Sequence, residues 1–108
     1  MIYKKHCEKK WIDCIVSGKK TVEGRLQKGD WLEMKNHDVL ILFDQDQEIC
    51  CEIVEKTIFK TFEDAFDVYG TDLLPDCNDA SVYQTFYSAD EVLKYGVVLL
   101  HLKLLQNK

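Results

Sequence analysis

Apolar residues recur at helical spacing near the start of the chain. Cys7, Trp11, Cys14 and Ile15 fall at positions i, i+4, i+7 and i+8, which lie on one face of a helix. This spacing predicts a helix over residues 6–17. A glycine follows directly, and glycine tolerates the left-handed conformation that commonly ends a helix. The pattern therefore predicts an amphipathic helix that stops sharply before a different element begins.

The positions after this helix alternate in polarity, as they do in a β-strand. Thr21, Glu23 and Arg25 would share one face of a strand over residues 21–26, and the residues between them, with Lys20, would share the other. Short apolar and β-branched runs bounded by polar turns predict the other strands. These strands cover residues 2–5, 31–35, 39–43, 48–57 and 97–105.

Helical patterns separate the last two of these strands. One helix is predicted over residues 61–69 and a shorter one over residues 80–87. Capping-box spacings mark the start of the first helix and of a further helical turn near residue 88; the pairs are Thr61 with Asp64 and Ser88 with Glu91. The residues expected to point inward from the shorter helix are Val82, Tyr83 and Phe86.

The order of these elements predicts an α+β fold. Tight polar turns between consecutive strands favour antiparallel pairing. We therefore expect a small mixed or antiparallel β-barrel of about five strands with flanking helices, rather than a doubly wound parallel sheet. A chain of 108 residues has the length of one domain, so we expect residues 1–108 to form a single domain.

Charge is distributed unevenly along the chain. The net charge of −5 argues against binding nucleic acid by bulk charge alone. Residues 1–30, however, contain eight Lys or Arg and four Asp or Glu, whereas residues 31–108 contain six and fifteen. The net charges are thus +4 and −9, and an anionic ligand would be attracted to the N-terminal third.

Cysteine usage and hydropathy indicate an intracellular, cytoplasmic protein. The five cysteines are odd in number and form no C-x-x-C pair, so neither a disulfide framework nor a zinc site is expected. The three histidines are scattered at unrelated spacings and suggest no catalytic triad, and we expect no metal and no cofactor. No apolar run approaches the roughly 18 residues of a membrane span, so no membrane association is expected.

Four short motifs follow one another along the chain. They are G-K-K-T-V-E-G-R at residues 18–25, G-D at 29–30, T-F-E-D at 61–64 and K-Y-G-V-V at 94–98. This arrangement resembles the ASCH domain, a member of the PUA-like superfamily, over about residues 3–105. The resemblance implies a PUA-like barrel with helices at one end, and a cleft beside the G-K-K-x-x-E-x-R segment.

The resemblance also implies a function. ASCH domains are generally thought to bind RNA or nucleotide-like ligands, and some small bacterial members are amidohydrolases that act on N4-acetylcytidine. In those enzymes a lysine at the position of Lys20, a threonine three residues later and a glutamate carry the chemistry. Here Glu23 replaces that threonine, so the nucleophile is absent, and Thr21 would project elsewhere. Lys20 remains the candidate catalytic residue.

Elementary chemistry agrees with a binding role for this segment. Glu23 accepts hydrogen bonds and Arg25 donates them through a rigid fork, so the two can read a nucleobase edge, and Lys20 or Arg25 suits a phosphate. The plainer interpretation of Glu23 and Arg25 is an ion pair on a solvated face. Candidate stacking residues are Tyr87 and Tyr95, which precede the last strand.

Two questions stay open at this stage. The resemblance implies a further cleft carboxylate whose position stays open, and the local candidates are Glu63, Asp64 and Asp72. RNA or nucleoside binding through Lys20 and its neighbours is the preferred function. The alternatives are an amidohydrolase of N4-acylated cytidine or an RNA hydrolase, and a protein-interaction module in which the acidic residues 31–108 meet a basic partner.

Overall fold

The computed structural model describes residues 1–107. The strands in this part of the chain are β1 (Ile2–His6), β2 (Val22–Leu26), β3 (Val39–Phe43), β4 (Glu48–Phe59) and β5 (Val97–Asn107). The α-helices are α1 (Lys9–Val16), α2 (Asp30–Glu33), α3 (Phe62–Tyr69) and α4 (Ala89–Tyr95). Two 3₁₀ turns, Gly70–Asp72 and Ser81–Thr85, lie between α3 and α4.

The five strands form one mixed sheet that curves into a half-barrel. Their order across the sheet is β1-β3-β4-β5-β2, with β1 parallel to β3 and the other pairs antiparallel. Strand β5 lies between β4 and β2, and its first four residues, Val97 to Leu100, are fully buried. Consequently β1 and β2 are the two edges of the sheet. The α+β class and the flanking helices are confirmed.

Local sequence signals account for the helix starts. The Thr61 hydroxyl accepts a hydrogen bond from the backbone N–H of Asp64 at 3.0 Å, which caps α3. At α4, Ser88 and Glu91 exchange the two hydrogen bonds of a full capping box. The predicted capping residues of both helices are confirmed. In α1 the buried residues include Ile12, while Cys7 precedes the helix.

The strand predicted over residues 31–35 is wrong. The chain forms the short helix α2 there, in which Met34 donates its backbone N–H to the Asp30 carbonyl at 3.0 Å. Met34 is fully buried, while Trp31 is half-buried. A short run of alternating residues is compatible with both element types, and here the chain forms one helical turn that ends just before the buried Met34.

The expectation that Phe86 points inward is also wrong. The chain forms a 3₁₀ turn that ends at Thr85, and Phe86 directly after it is 51% exposed, whereas Tyr83 within the turn is buried. All five cysteines, which lie within the described range, are free thiols. Within residues 1–107, no helix combines the length and apolar composition needed to cross a membrane.

Candidate functional site

A cleft opens where the two edge strands of the half-barrel approach each other. Its cavity volume is about 160 Å³. One side comes from residues 6–8 at the end of β1, together with Trp11 of α1. The opposite side comes from Lys20 and from residues 23–25 of β2. Aromatic residues before α4 close the cleft; they are Tyr83, Phe86 and Tyr87. The cleft thus lies beside the basic segment that the sequence singled out.

Lys20 lies at the base of this cleft and is only 2% exposed. Its ammonium Nζ donates to the Val22 carbonyl at 2.6 Å and to the Leu73 carbonyl, and it lies 3.4 Å from Glu23 Oε1. An ammonium has three N–H donors, and these acceptors match them in number. Lys20 is therefore a buried cation with protein acceptors around it.

Glu23 is the carboxylate at the centre of the site and is 5% exposed. Besides Lys20, Oε1 accepts from the Gly24 backbone N–H at 3.2 Å. Oε2 accepts from Arg25 Nε at 3.2 Å and Nη2 at 3.0 Å, and from the Cys7 thiol at 3.8 Å. A carboxylate offers about four lone-pair sites. Protein donors therefore occupy the hydrogen-bonding capacity of Glu23.

Arg25 connects the buried charges to the surface. Its Nη2 also donates to the His6 carbonyl at 3.1 Å, which links β2 to the end of β1 across the open side of the half-barrel. Its guanidinium carbon lies 4.5 Å from the centroid of the Trp31 ring. The side chain is 21% exposed, and within residues 1–107 its Nη1 has no hydrogen-bond partner. Arg25 thus presents an oriented donor at the cleft.

Electrostatics keep these groups in defined protonation states. Burial alone would raise the pKa of Glu23, but the charges of Arg25 and Lys20 outweigh it and hold that pKa below its usual value. Burial, with the nearby Glu23 charge, raises the pKa of the Cys7 thiol to about 12. At neutral pH the carboxylate is therefore ionised, and Cys7 is a neutral thiol.

An aromatic wall faces the charged groups. The rings of Tyr83 and Phe62 stack with centroids 3.7 Å apart, and those of Phe62 and Tyr87 are nearly parallel at 5.5 Å. Gly24 allows this wall to approach β2, because a Cβ at that position would lie 2.9 Å from the Tyr83 hydroxyl oxygen. Tyr83 and Tyr87 both line the cleft, which therefore joins an arginine donor to flat apolar rings.

The structure brings together four of the five residues that the sequence analysis proposed for binding. Lys20, Glu23, Arg25 and Tyr87 all line the cleft. Tyr95 does not: it lies at the end of α4, where the ammonium groups of Lys28 and Lys94 are 5.1 and 5.2 Å from its ring centroid. It therefore belongs to a separate surface.

None of the three proposed carboxylates lines the cleft. Asp64 is exposed at the start of α3, Asp72 is exposed in the first 3₁₀ turn, and Glu63 lines a neighbouring groove. The additional carboxylate in the lining is Glu8, which no sequence signal indicated. Tyr83, which the sequence analysis treated as an inward-pointing core residue, is part of the cleft wall.

Comparison with known families decides the identity of the fold. The model of the ASCH domain matches residues 6–106. The chain belongs to the ASCH domain family. This family is generally linked to RNA binding. Thus the resemblance drawn from the four motifs is confirmed over nearly the whole chain.

Solved structures share the fold of this ASCH domain. The crystal structure of the hypothetical protein PH0355 has a TM-score of 0.91 at 24% identity, covering 97% of this chain and 100% of that one. The solution structure of protein PF0455 from Pyrococcus furiosus has a TM-score of 0.79 at 22% identity, covering 98% and 99%. Among curated proteins, none matches the chain. These similarities establish the fold alone.

Proposed function

We propose that residues 1–108 form a single ASCH domain that binds RNA or a nucleotide-like ligand in the cleft beside β2. The observation that supports this most directly is the partly exposed Arg25 guanidinium, whose Nη1 has no partner among residues 1–107 and which shares the cleft with Tyr83 and Tyr87. An arginine fork suits a phosphate or a base edge, and tyrosine rings suit a stacked base. A nucleotide presents both features.

Lys20 and Glu23 have supporting roles in this proposal. Glu23 bonds both Nε and Nη2 of Arg25, which orients the guanidinium so that Nη1 remains for a ligand. Lys20 neutralises the buried carboxylate from the other side. Because the cost of ordering the arginine is met before binding, more of its interaction with a ligand contributes to affinity.

The chemistry of the cleft favours binding over the alternative of an amidohydrolase. A nucleophile or base needs an available lone pair, yet the Lys20 ammonium donates to two backbone carbonyls and is paired with Glu23. The Cys7 thiol is neutral, with a pKa of about 12 after burial and the Glu23 charge raise it. Burial also raises the pKa of the Tyr83 hydroxyl well above its usual value. Incubation with N4-acetylcytidine, followed by chromatography for cytidine, checks this alternative directly.

The test of the binding proposal is a titration of wild type and Arg25→Ala. The probes are the four ribonucleoside 5′-monophosphates and fluorescein-labelled heptamers of rA, rC and rU. A charge-assisted hydrogen bond contributes about 1.5–3 kcal/mol, so Arg25→Ala should weaken binding about tenfold to a hundredfold. Arg25→Lys should recover part of the loss, because it keeps the charge but not the fork.

A cation outside the cleft provides the matched control. Lys103 is an exposed residue of β5, so Lys103→Ala removes one positive charge without touching the lining. It should leave the affinity within about twofold at 150 mM salt, where surface charges are screened. Circular dichroism must show that every variant is folded. Equal binding by wild type and Arg25→Ala, or no binding of any probe, would refute the proposal.

A further inference from the structure

A second groove adjoins the cleft on the far side of the aromatic wall. It lies between the start of α3, the second 3₁₀ turn and α4, and its cavity volume is about 280 Å³. Phe62, Tyr83 and Tyr87 line it on the side of the cleft, and Ala89 and Leu93 of α4 line it opposite. The function proposed for the first cleft makes no use of this groove.

The two cavities share their partition. Tyr83 and Tyr87 line both of them, and Phe62, which stacks with each tyrosine, lines the groove. The half-buried Tyr87 therefore borders both cavities, and the groove adjoins a ligand bound beside Tyr87 in the cleft. Phe62 and Tyr83 are buried, so the ring that offers a flat surface to a base is the half-buried Tyr87, and bases of a single strand stack on such rings.

The chemistry of the groove suits a base and not a phosphate. Its walls are largely apolar, and the one charged residue among the described groove residues is Glu63, whose carboxylate would repel a phosphate. Gln84 lies at the rim, exposed, and its side-chain amide can both donate to and accept from a base edge. The cationic group suited to a connecting phosphate, Arg25, lies in the cleft with Tyr87.

We infer that the groove is a second base-binding subsite and that the domain binds single-stranded RNA of two or more nucleotides in preference to a free nucleotide. One base would occupy the cleft, the next would occupy the groove, and the phosphate between them would face Arg25. This inference rests on the proposed function of the cleft, which it deepens by naming the class of ligand.

The test compares heptamers of rA, rC and rU with the corresponding nucleoside 5′-monophosphates. The wild-type domain should bind its best heptamer at least about tenfold more tightly than the monophosphate, since each stacked base adds affinity. Ala89→Leu fills the groove from α4, and Leu93→Ser removes one apolar wall. Both should weaken heptamer binding about fivefold or more and leave monophosphate binding unchanged.

Leu32→Ser is the matched control, because Leu32 is an exposed leucine of α2 that lines neither cavity. It should bind both probes as the wild type does. Suppose that Arg25→Ala lowers the affinity for both probes, but Ala89→Leu and Leu93→Ser do not lower the affinity for the heptamer. The second subsite is then refuted, and the function proposed for the cleft is retained. Equal wild-type affinity for heptamer and monophosphate refutes it as well. If Arg25→Ala changes neither probe, or nothing binds, the cleft and the subsite fall together.

Discussion

Glu23→Gln tests whether the charge cluster at the cleft stabilises the fold. The substitution keeps the shape of the side chain but removes its charge. Lys20, 2% exposed, would then face a neutral amide in place of a carboxylate, and Arg25 would lose the charged oxygen that accepts from its Nε and Nη2. The change therefore leaves a buried ammonium without a counter-ion.

The expected loss is large for a domain of this size. Removing one partner of a buried ion pair costs about 3–5 kcal/mol, because the remaining charge is buried and uncompensated. Native domains have a free energy of unfolding of about 5–15 kcal/mol, so Glu23→Gln should remove a large fraction of it. For a domain of about 100 residues, a loss of this size lowers the melting temperature by roughly 12 °C or more.

Urea denaturation followed by circular dichroism measures this loss, with the midpoint and the slope fitted separately. Glu8→Gln is the matched control, since Glu8 lines the same cleft but is exposed and has no ion pair among residues 1–107. Its effect should stay within about 0.5 kcal/mol. The double variant Lys20→Met/Glu23→Gln removes the orphaned charge and should be more stable than Glu23→Gln alone.

Two outcomes would refute this reasoning. One is a loss below about 1 kcal/mol for Glu23→Gln, which is the range of a surface ion pair. The other is additivity: the double variant loses as much unfolding free energy as Glu23→Gln and Lys20→Met lose together. Additive losses would mean that the two side chains are not coupled. Either result would mean that solvent reaches the cluster freely.

Two further predictions concern the same site. Gly24→Ala places a Cβ 2.9 Å from the Tyr83 hydroxyl oxygen, so it should cost about 1–3 kcal/mol of stability and weaken nucleotide binding; unchanged urea midpoint and affinity would contradict this. Burial alone would raise the pKa of Glu23, but the charges of Arg25 and Lys20 hold that pKa below its ordinary value of 4.5. The ionised Glu23 therefore stabilises the folded state at pH values above 4.5, and this stabilisation is lost as the pH falls through the pKa of the folded state. The difference in unfolding free energy between wild type and Glu23→Gln should therefore shrink below about pH 4.5, and a constant difference down to pH 2.5 would count against it.

Local patterns were sufficient for most of the fold. The alternation over residues 21–26 predicted β2, and the capping residues of α3 and α4 were read directly from the sequence. These signals depend on neighbours within four residues. The short helix α2 escaped prediction because a four-residue element carries too little periodicity to separate a helix from a strand.

The site was predicted only in part, for a different physical reason. Strand alternation assigned Lys20 and Glu23 to opposite faces, yet Lys20 precedes the first residue of β2 and is not bound by that alternation. The Lys20 Nζ donates to the backbone carbonyl of Leu73, which is 53 positions away in sequence. The stacking of Phe62 on Tyr83 likewise joins distant segments. Such contacts depend on the tertiary structure and leave no local periodic signal.

The position of the cluster relates the fold to the cleft. A half-barrel leaves the backbone groups of its edge strands without strand partners, and here the gap between β1 and β2 is bridged by the Arg25 hydrogen bond to the His6 carbonyl. The same guanidinium provides the unpartnered donor of the cleft, and Glu23 holds it in place. A change at Arg25 therefore alters both the closure of the half-barrel and the proposed ligand contact. Affinity measured for any Arg25 variant, Arg25→Lys included, must accordingly be interpreted together with its stability.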